Sequence, residues 1–237
     1  TGIDSRLTAG GYTLYTGQTA GGRVDLININ GERVHEWQLP VRAGRDAVLL
    51  PNGNLGYNGS HEQSADLYPA WDIWHGGDFY EVTPSGEIVW RYEDIFHHHD
   101  AQWLPNGNLL YTVAAPSPLV SSIQSDIVRE VNRKGEVVWE WRAWEHLNPD
   151  DFITHECFDS SHWPLINGLS LTSDGLVLMS LRTTSGIIAV KKSNDEIVWH
   201  IDYSNVAQQH CPVETEDGTI LCFDNGNIRP SSIHHSR

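Results

Sequence analysis

Short runs in which Val, Ile, Trp, Phe and Tyr alternate with polar residues follow one another along the chain, and Asn-Gly or Asp-Gly pairs stand between them. Successive side chains of a strand point to opposite faces, so a period of two predicts half-buried strands, and the glycine dipeptides supply the positive φ angles of tight hairpins. No segment sustains a 3.6-residue apolar period. Residues 121–130 come nearest, and they run into Val131 and the next turn. The pattern predicts an all-β protein.

The pattern also repeats. Asn30-Gly-Glu-Arg-Val-His-Glu-Trp37 returns as Ser85-Gly-Glu-Ile-Val-Trp90, Lys134-Gly-Glu-Val-Val-Trp139 and Asn194-Asp-Glu-Ile-Val-Trp199. Leu50-Pro-Asn-Gly-Asn-Leu55 returns as Leu104-Pro-Asn-Gly-Asn-Leu109, and more loosely as Thr172-Ser-Asp-Gly-Leu-Val177 and Thr215-Glu-Asp-Gly-Thr-Ile220. Repeats of about 50 residues with two hairpin turns and four short strands are the signature of β-propeller blades. A β-sandwich of irregular meanders would not need turn and tryptophan to recur in register. The four repeat tryptophans are expected to pack between or beneath blades. At about 54 residues per repeat, residues 1–237 are predicted to form a single propeller domain of four blades and the opening of a fifth, incomplete at its C-terminus. Longer loops over 60–74, 111–124 and 142–161 are expected to shape a binding rim.

Charge narrows the partners. Thirty-one acidic against fifteen basic residues leave a net charge of −16, which excludes phosphate backbones and anionic membranes as partners and disfavours anionic substrates unless local cations override the field. No apolar run reaches the length of a membrane span, and no leader opens the sequence. Cys157, Cys211 and Cys222 show no C-x-x-C spacing and are expected to be apolar fillers, neither a disulfide framework nor a zinc site.

Used as an internal alignment, the repeat isolates candidate chemistry. Eight residues before Gly53, Gly107, Gly175 and Gly218 stand Arg45, His99, Asn167 and His210. Equivalent positions on successive blades would form a polar ring. Such a ring could simply be solvated, but two imidazoles, a guanidinium and an amide are an inventory for stabilising or transferring an anionic group. Arg182 ends the strand Leu176-Val-Leu-Met-Ser-Leu-Arg182 and is either a surface cap or a second functional cation. Within His97-His98-His99, strand alternation predicts that His97 and His99 share a side and His98 faces away. A divalent metal held by these histidines with His210, His155 or His162 is an alternative to a cofactor-free site. Trp71, Trp74, Trp103 and Trp163 are candidate aromatic platforms.

Gly11-Tyr-Thr-Leu-Tyr15, Gly86-Glu-Ile-Val-Trp90, His98-His-Asp-Ala-Gln-Trp-Leu-Pro-Asn-Gly-Asn-Leu109 and Gln209-His-Cys-Pro212 followed by Gly218-Thr-Ile-Leu-Cys-Phe-Asp-Asn-Gly226 together resemble the bacterial arylsulfotransferase family. The resemblance implies a six-bladed propeller that moves a sulfuryl group from an aryl sulfate to a phenol through a sulfo-histidine, with no nucleotide donor and no cofactor. It implies His210 as nucleophile, His99 as helper to the sulfuryl oxygens or leaving group, and Arg182 as sulfate holder. Arg45, Asn167, His98, His162, Trp103 and Trp163 would line the substrate site. It points to a periplasmic or secreted protein, while the unpaired cysteines suit the cytosol equally.

One departure is visible. The family tends to carry His-x-Asn in the third segment, where this chain has Leu165 two residues before Asn167. His162 would reach in only if the Trp163-Pro164 segment bulges. Two rivals stay open: a lyase or hydrolase using His99 and His210 as acid and base or as metal ligands, and a non-catalytic binding propeller.

Overall fold

A computed structural model describes residues 8–19, 21–67, 76–120, 122–155 and 161–227. Trp71, Trp74 and Cys157 lie outside these residues. The strands are β1 (Tyr12–Thr16), β2 (Arg23–Asn28), β3 (Arg33–Gln38), β4 (Ala43–Leu49), β5 (Leu55–Ser60), β6 (Gly77–Val82), β7 (Ile88–Glu93), β8 (His97–Trp103), β9 (Leu109–Pro116), β10 (Gln124–Val131), β11 (Val137–Arg142), β12 (Ile166–Leu171), β13 (Leu176–Leu181), β14 (Gly186–Lys191), β15 (Glu196–Ile201), β16 (His210–Glu214) and β17 (Ile220–Phe223). Two short helices, α1 (Glu62–Leu67) and α2 (Ala143–His146), interrupt them. The described residues form an all-β fold with three four-stranded antiparallel sheets of the propeller-blade kind, together with a three-stranded sheet and a two-stranded hairpin.

Two compact units divide the chain, residues 1–97 and 98–237. In the first, the sheet β1-β2-β3 packs on β4-β5-β6-β7 over a core that includes Val24, Trp37, Leu55, Tyr57 and Tyr80. In the second, β8-β9-β10-β11 and β12-β13-β14-β15 enclose Leu110, Val128, Trp141, Trp163, Ile166 and Met179, and the β16-β17 hairpin lies against β12. The outermost strands β7 and β15 alternate exposed and half-buried positions, whereas β5 and β6, and β9 and β14 over most of their length, are buried on both faces.

The repeated turns are superimposable in their bonding. Gly53, Gly107, Gly175 and Gly218 have φ of 84°, 84°, 86° and 81°. Each donates its N–H to the carbonyl three residues back, Leu50, Leu104, Thr172 and Thr215, at 2.9–3.0 Å. A side chain would strain this backbone, which is why glycine recurs.

The Asn-Gly-Asn motif has a second purpose. Asn52 and Asn54 donate to Glu81 Oε1 at 2.9 and 2.6 Å, and Asn106 and Asn108 donate to Glu130 Oε1 at 3.3 and 2.5 Å. Both glutamates sit on the third strand of their sheets and are buried. Glu81 pairs with Gly56 and Glu130 with Leu110 in register, and the equivalent place in the next sheet is Ala189, opposite Leu178. There the turn reads Ser-Asp-Gly-Leu, so amides and carboxylate are lost together.

Of the repeat tryptophans, Trp37 is buried, whereas Trp90, Trp139 and Trp199 are only half-buried, less enclosed than the pattern predicts. Trp37 Nε1 donates to the Thr83 carbonyl at 3.0 Å, and Trp139 Nε1 donates to Asp195 Oδ1 at 2.8 Å. Each thereby ties one sheet to the outer turn of the next. Lys192 lies over the Trp139 ring and also pairs with Glu130.

Burial would raise the Glu130 carboxyl, but Lys192 and the two amides outweigh it and hold the group below the usual carboxylate range. A depressed folded value stabilises the protein above the unfolded pKa and is lost as pH falls through the folded one. Glu130→Gln should therefore cost about 2 kcal/mol at pH 7. The gap to wild type in urea unfolding should narrow steadily below the ordinary glutamate pKa; a gap independent of pH would contradict this role.

Candidate functional site

The four aligned positions open the first strand of successive sheets, and strand regularity breaks at each. Pairing of β4 with β5 jumps from Ala43 to Ala47, leaving Arg45 inside the gap. Pairing of β12 with β13 jumps from Ile166 to Gly168, across Asn167, and that of β16 with β17 jumps from His210 to Val213. On β8, His99 itself has φ of 56°. Bulges of this kind re-aim a side chain that regular alternation would send elsewhere. Arg45 belongs to the first unit; His99, Asn167 and His210 belong to the second.

Around His210 the backbone turns sharply, with Gln208 at φ 58° and Cys211 at φ 49°. The buried Gln209 holds the bend: its Nε2 donates to Ser180 Oγ at 2.9 Å and to the Gly186 carbonyl at 2.6 Å. Its own carbonyl accepts from Asn167 Nδ2 at 3.0 Å. Asp224 accepts from the Ala207 and Gly226 N–H groups at 3.0 Å and fixes the following loop. That loop brings Asn225 Oδ1 to 2.9 Å from His210 Nδ1. An amide oxygen only accepts, so Nδ1 carries the proton, and in the neutral imidazole the lone pair stands on Nε2. Asn167 thus acts by positioning the strand that carries His210. Asn225 lies within the Phe223-Asp-Asn-Gly226 segment, but nothing in its spacing marks it as the partner of His210.

The three consecutive histidines do not alternate as a regular strand would. The positive φ of His99 turns its ring beside His98, with Nδ1 to Nδ1 2.9 Å, while His97 lies against Phe79 with ring centroids 4.9 Å apart. The expectation that His97 and His99 share a side and His98 faces away is therefore corrected. Thr112 on β9 spans the irregularity, donating from its hydroxyl to the His98 carbonyl and accepting from the Asp100 N–H at 3.4 Å. Asp100 Oδ2 in turn accepts the Leu169 N–H at 2.7 Å, joining β8 to β12.

His98 meets Asp126 on β10, and so does His162. Both Nε2 atoms lie 3.0 Å from Asp126 Oδ1, and all three residues are buried. Burial pushes the His98 imidazole down, against the pull of Asp126. Burial alone would raise the Asp126 carboxyl, but the His162 charge and the two imidazole contacts hold it well below the usual range. His162 arrives because its segment lies along the start of β10, with Trp163 N–H donating to the Gln124 carbonyl at 2.9 Å and the Trp163–Pro164 bond cis. Leu165, standing where the resemblance implies histidine, is buried in the core.

The remaining candidates separate. Trp163 is packed in the core and donates its indole N–H to the Phe152 carbonyl at 2.8 Å, so its face is used by packing. Trp103 is half-buried at the end of β8. Arg182 follows β13, its N–H bonded to the Leu165 carbonyl at 2.9 Å, which sets it beside the Asn167 strand. His155 faces Tyr203 in a separate cavity of about 950 Å³ and is not one of the histidines gathered around Asp126.

The sequence profile of the arylsulfotransferase (ASST) family matches residues 10–206. The chain belongs to that family. His99, Asn167 and Arg182 fall within the matched segment of this arylsulfotransferase-family chain, and His210 four residues beyond it. A comparison with the curated proteins finds no significant match. Among solved structures it is similar to a protein of unknown function from Bacteroides caccae (15% identity, TM-score 0.57, covering 91% of this chain and 66% of that one). It is also similar to Kuenenia stuttgartiensis hydrazine synthase (12%, 0.59, 90% and 64%) and to virginiamycin B lyase from Staphylococcus aureus (13%, 0.51, 94% and 67%). At these identities the likeness is one of fold, and the chain spans about two thirds of the length of each.

At Gly168 strand β12 of the family member runs close against β16. A Cβ there would stand 2.8 Å from the Cys211 backbone nitrogen, a contact that only a shift of β16 relieves. Gly168→Ala should cost about 1–3 kcal/mol and displace His210 from Asn225. Thermal unfolding together with the imidazole NMR signals of His210 checks both effects; an unchanged His210 environment would refute the coupling.

Proposed function

We propose that this chain carries the transfer centre of an arylsulfotransferase, moving a sulfuryl group from a small aryl sulfate to a phenol through His210. The reading rests on the His210–Asn225 pair, which directs a neutral lone pair from Nε2 while the protonated Nδ1 stays bonded to the amide. In the first half-reaction Nε2 attacks sulfur and the bond to the aryl oxygen breaks. The departing phenolate takes a proton from His99, whose ring shares a hydrogen bond with His98. An acceptor phenol then returns its proton to His99 and attacks sulfur. The S–N bond breaks and the electron pair returns to Nε2.

Arg182 offsets the charge on the peripheral oxygens, a local cation in a chain of net charge −16. Asn167 serves by holding the Gln209 carbonyl. The resemblance supplies the reaction class, and the family match supports it.

A chromogenic aryl sulfate should be turned over only when a phenol is supplied, and donor alone should leave one sulfuryl group on the wild-type protein. His210→Ala should lose both turnover and adduct while keeping its fold. His99→Ala should slow transfer by about 100-fold. Full activity in the His210 variant would overturn the proposal, as would turnover of wild type by a route that leaves no adduct.

A further inference from the structure

His98, Asp126 and His162 do more than the sulfuryl-transfer chemistry uses. Their nearest ligand atoms lie within 4.8 Å of one another, brought from β8, β10 and the segment before β12. Two imidazole nitrogens converge on a single carboxylate oxygen, each 3.0 Å from Asp126 Oδ1. The other oxygen, Oδ2, is fully buried and has no hydrogen-bond partner among the described residues, and His98 Nε2 makes no hydrogen bond of proper geometry.

A cluster built for hydrogen bonding would spread two donors over two oxygens, because an orphaned buried carboxylate oxygen bears its desolvation cost uncompensated. Convergence with one oxygen left over is instead the arrangement of ligands around a common centre. Donor atoms on a tetrahedral zinc ion stand about 3.3 Å apart for bonds of about 2.0–2.1 Å, a few tenths of an ångström from the two nitrogen–oxygen distances seen here, and the whole set lies within 4.8 Å.

We propose that His98 Nε2, Asp126 and His162 Nε2 bind one divalent transition-metal ion of the zinc class. Two imidazoles and a carboxylate suit such an ion and leave coordination positions open. The backing is present: His98 Nδ1 meets His99 Nδ1 at 2.9 Å, which holds the His98 ring with Nε2 toward Asp126. The Gln124 N–H donates to the Ser161 carbonyl at 2.7 Å, and Trp163 returns a bond to Gln124, so His162 is fixed two residues from Asp126 on β10. The site stands whether or not the sulfuryl-transfer reading holds, since His210 is not among its ligands.

The test uses the whole purified chain, stripped with chelator and titrated with Co²⁺ and then Zn²⁺. Wild type should take up one equivalent of Co²⁺ with the visible absorption of a low-coordinate nitrogen–oxygen site, give it up to Zn²⁺, and unfold at higher temperature with Zn²⁺ bound. Asp126→Asn and His162→Gln should each weaken binding by more than the roughly 10–100-fold that loss of an outer-shell partner costs. His99→Ala should fall within that range, and His210→Ala should bind as wild type. Wild type with no stoichiometric uptake would overturn the proposal, and so would uptake unchanged in both ligand variants. Should a variant fail to fold, X-ray absorption of the cobalt-loaded wild type decides: two imidazoles with a carboxylate sustain the site, and one imidazole or none rejects it.

Discussion

Antiparallel pairing sends consecutive side chains to opposite faces, and a chain that obeyed it throughout could never gather neighbouring residues at one point. The first strands of these sheets give up that regularity at one aligned position. Bulged pairing around Arg45, Asn167 and His210 and the left-handed backbone of His99 all fall there. The freed main-chain groups are satisfied by side chains, Thr112 at β8 and Asn167 and Gln209 at β12 and β16. Such substitution supplies a broken, buried ladder with partners for main-chain groups. The chemistry of the site depends on this break.

Rigidity around the break comes from elsewhere in the repeat. The Asn-x-Asn clamps on Glu81 and Glu130 pin turn to third strand within a sheet, and the Trp37 and Trp139 indoles pin sheet to neighbouring turn. Lys192 joins the two devices, touching both Glu130 and Trp139. Strands β4 and β8 are thus held by polar contacts at their far ends as well as by the apolar core. A misplacement of about 1 Å at a reacting centre can cost a hundredfold in rate, and holding the strands at both ends resists it.

Electrostatics divide the site into two environments. His210 and Asn225 are partly open, and the amide gives the imidazole an orientation without a charge. His98, His162 and Asp126 are enclosed, and there the contacts to the two imidazoles hold the Asp126 carboxyl well below the usual carboxylate range against the cost of burial. A half-open imidazole oriented by an amide and two buried imidazoles sharing one carboxylate are distinct uses of histidine in one unit.

The strand period, the hairpin turns and the register of the repeat were legible in the residues themselves. Each depends on contacts between near neighbours, as with the glycines of Gly53 or Gly107 and the alternation around Val137. The aligned set of His99, Asn167 and His210 was legible for the same reason. The bonding of Asn52 and Asn54 to Glu81 was not, although the loss of all three together in the third repeat was a trace of it. That His98 turns toward His99, that Asp126 stands thirty-six residues from the His162 it meets, and that Asn225 orients His210 were decided by tertiary structure alone. A bulge changes which face a side chain takes without changing its composition or spacing, and a partner across strands is chosen by packing that no local pattern records.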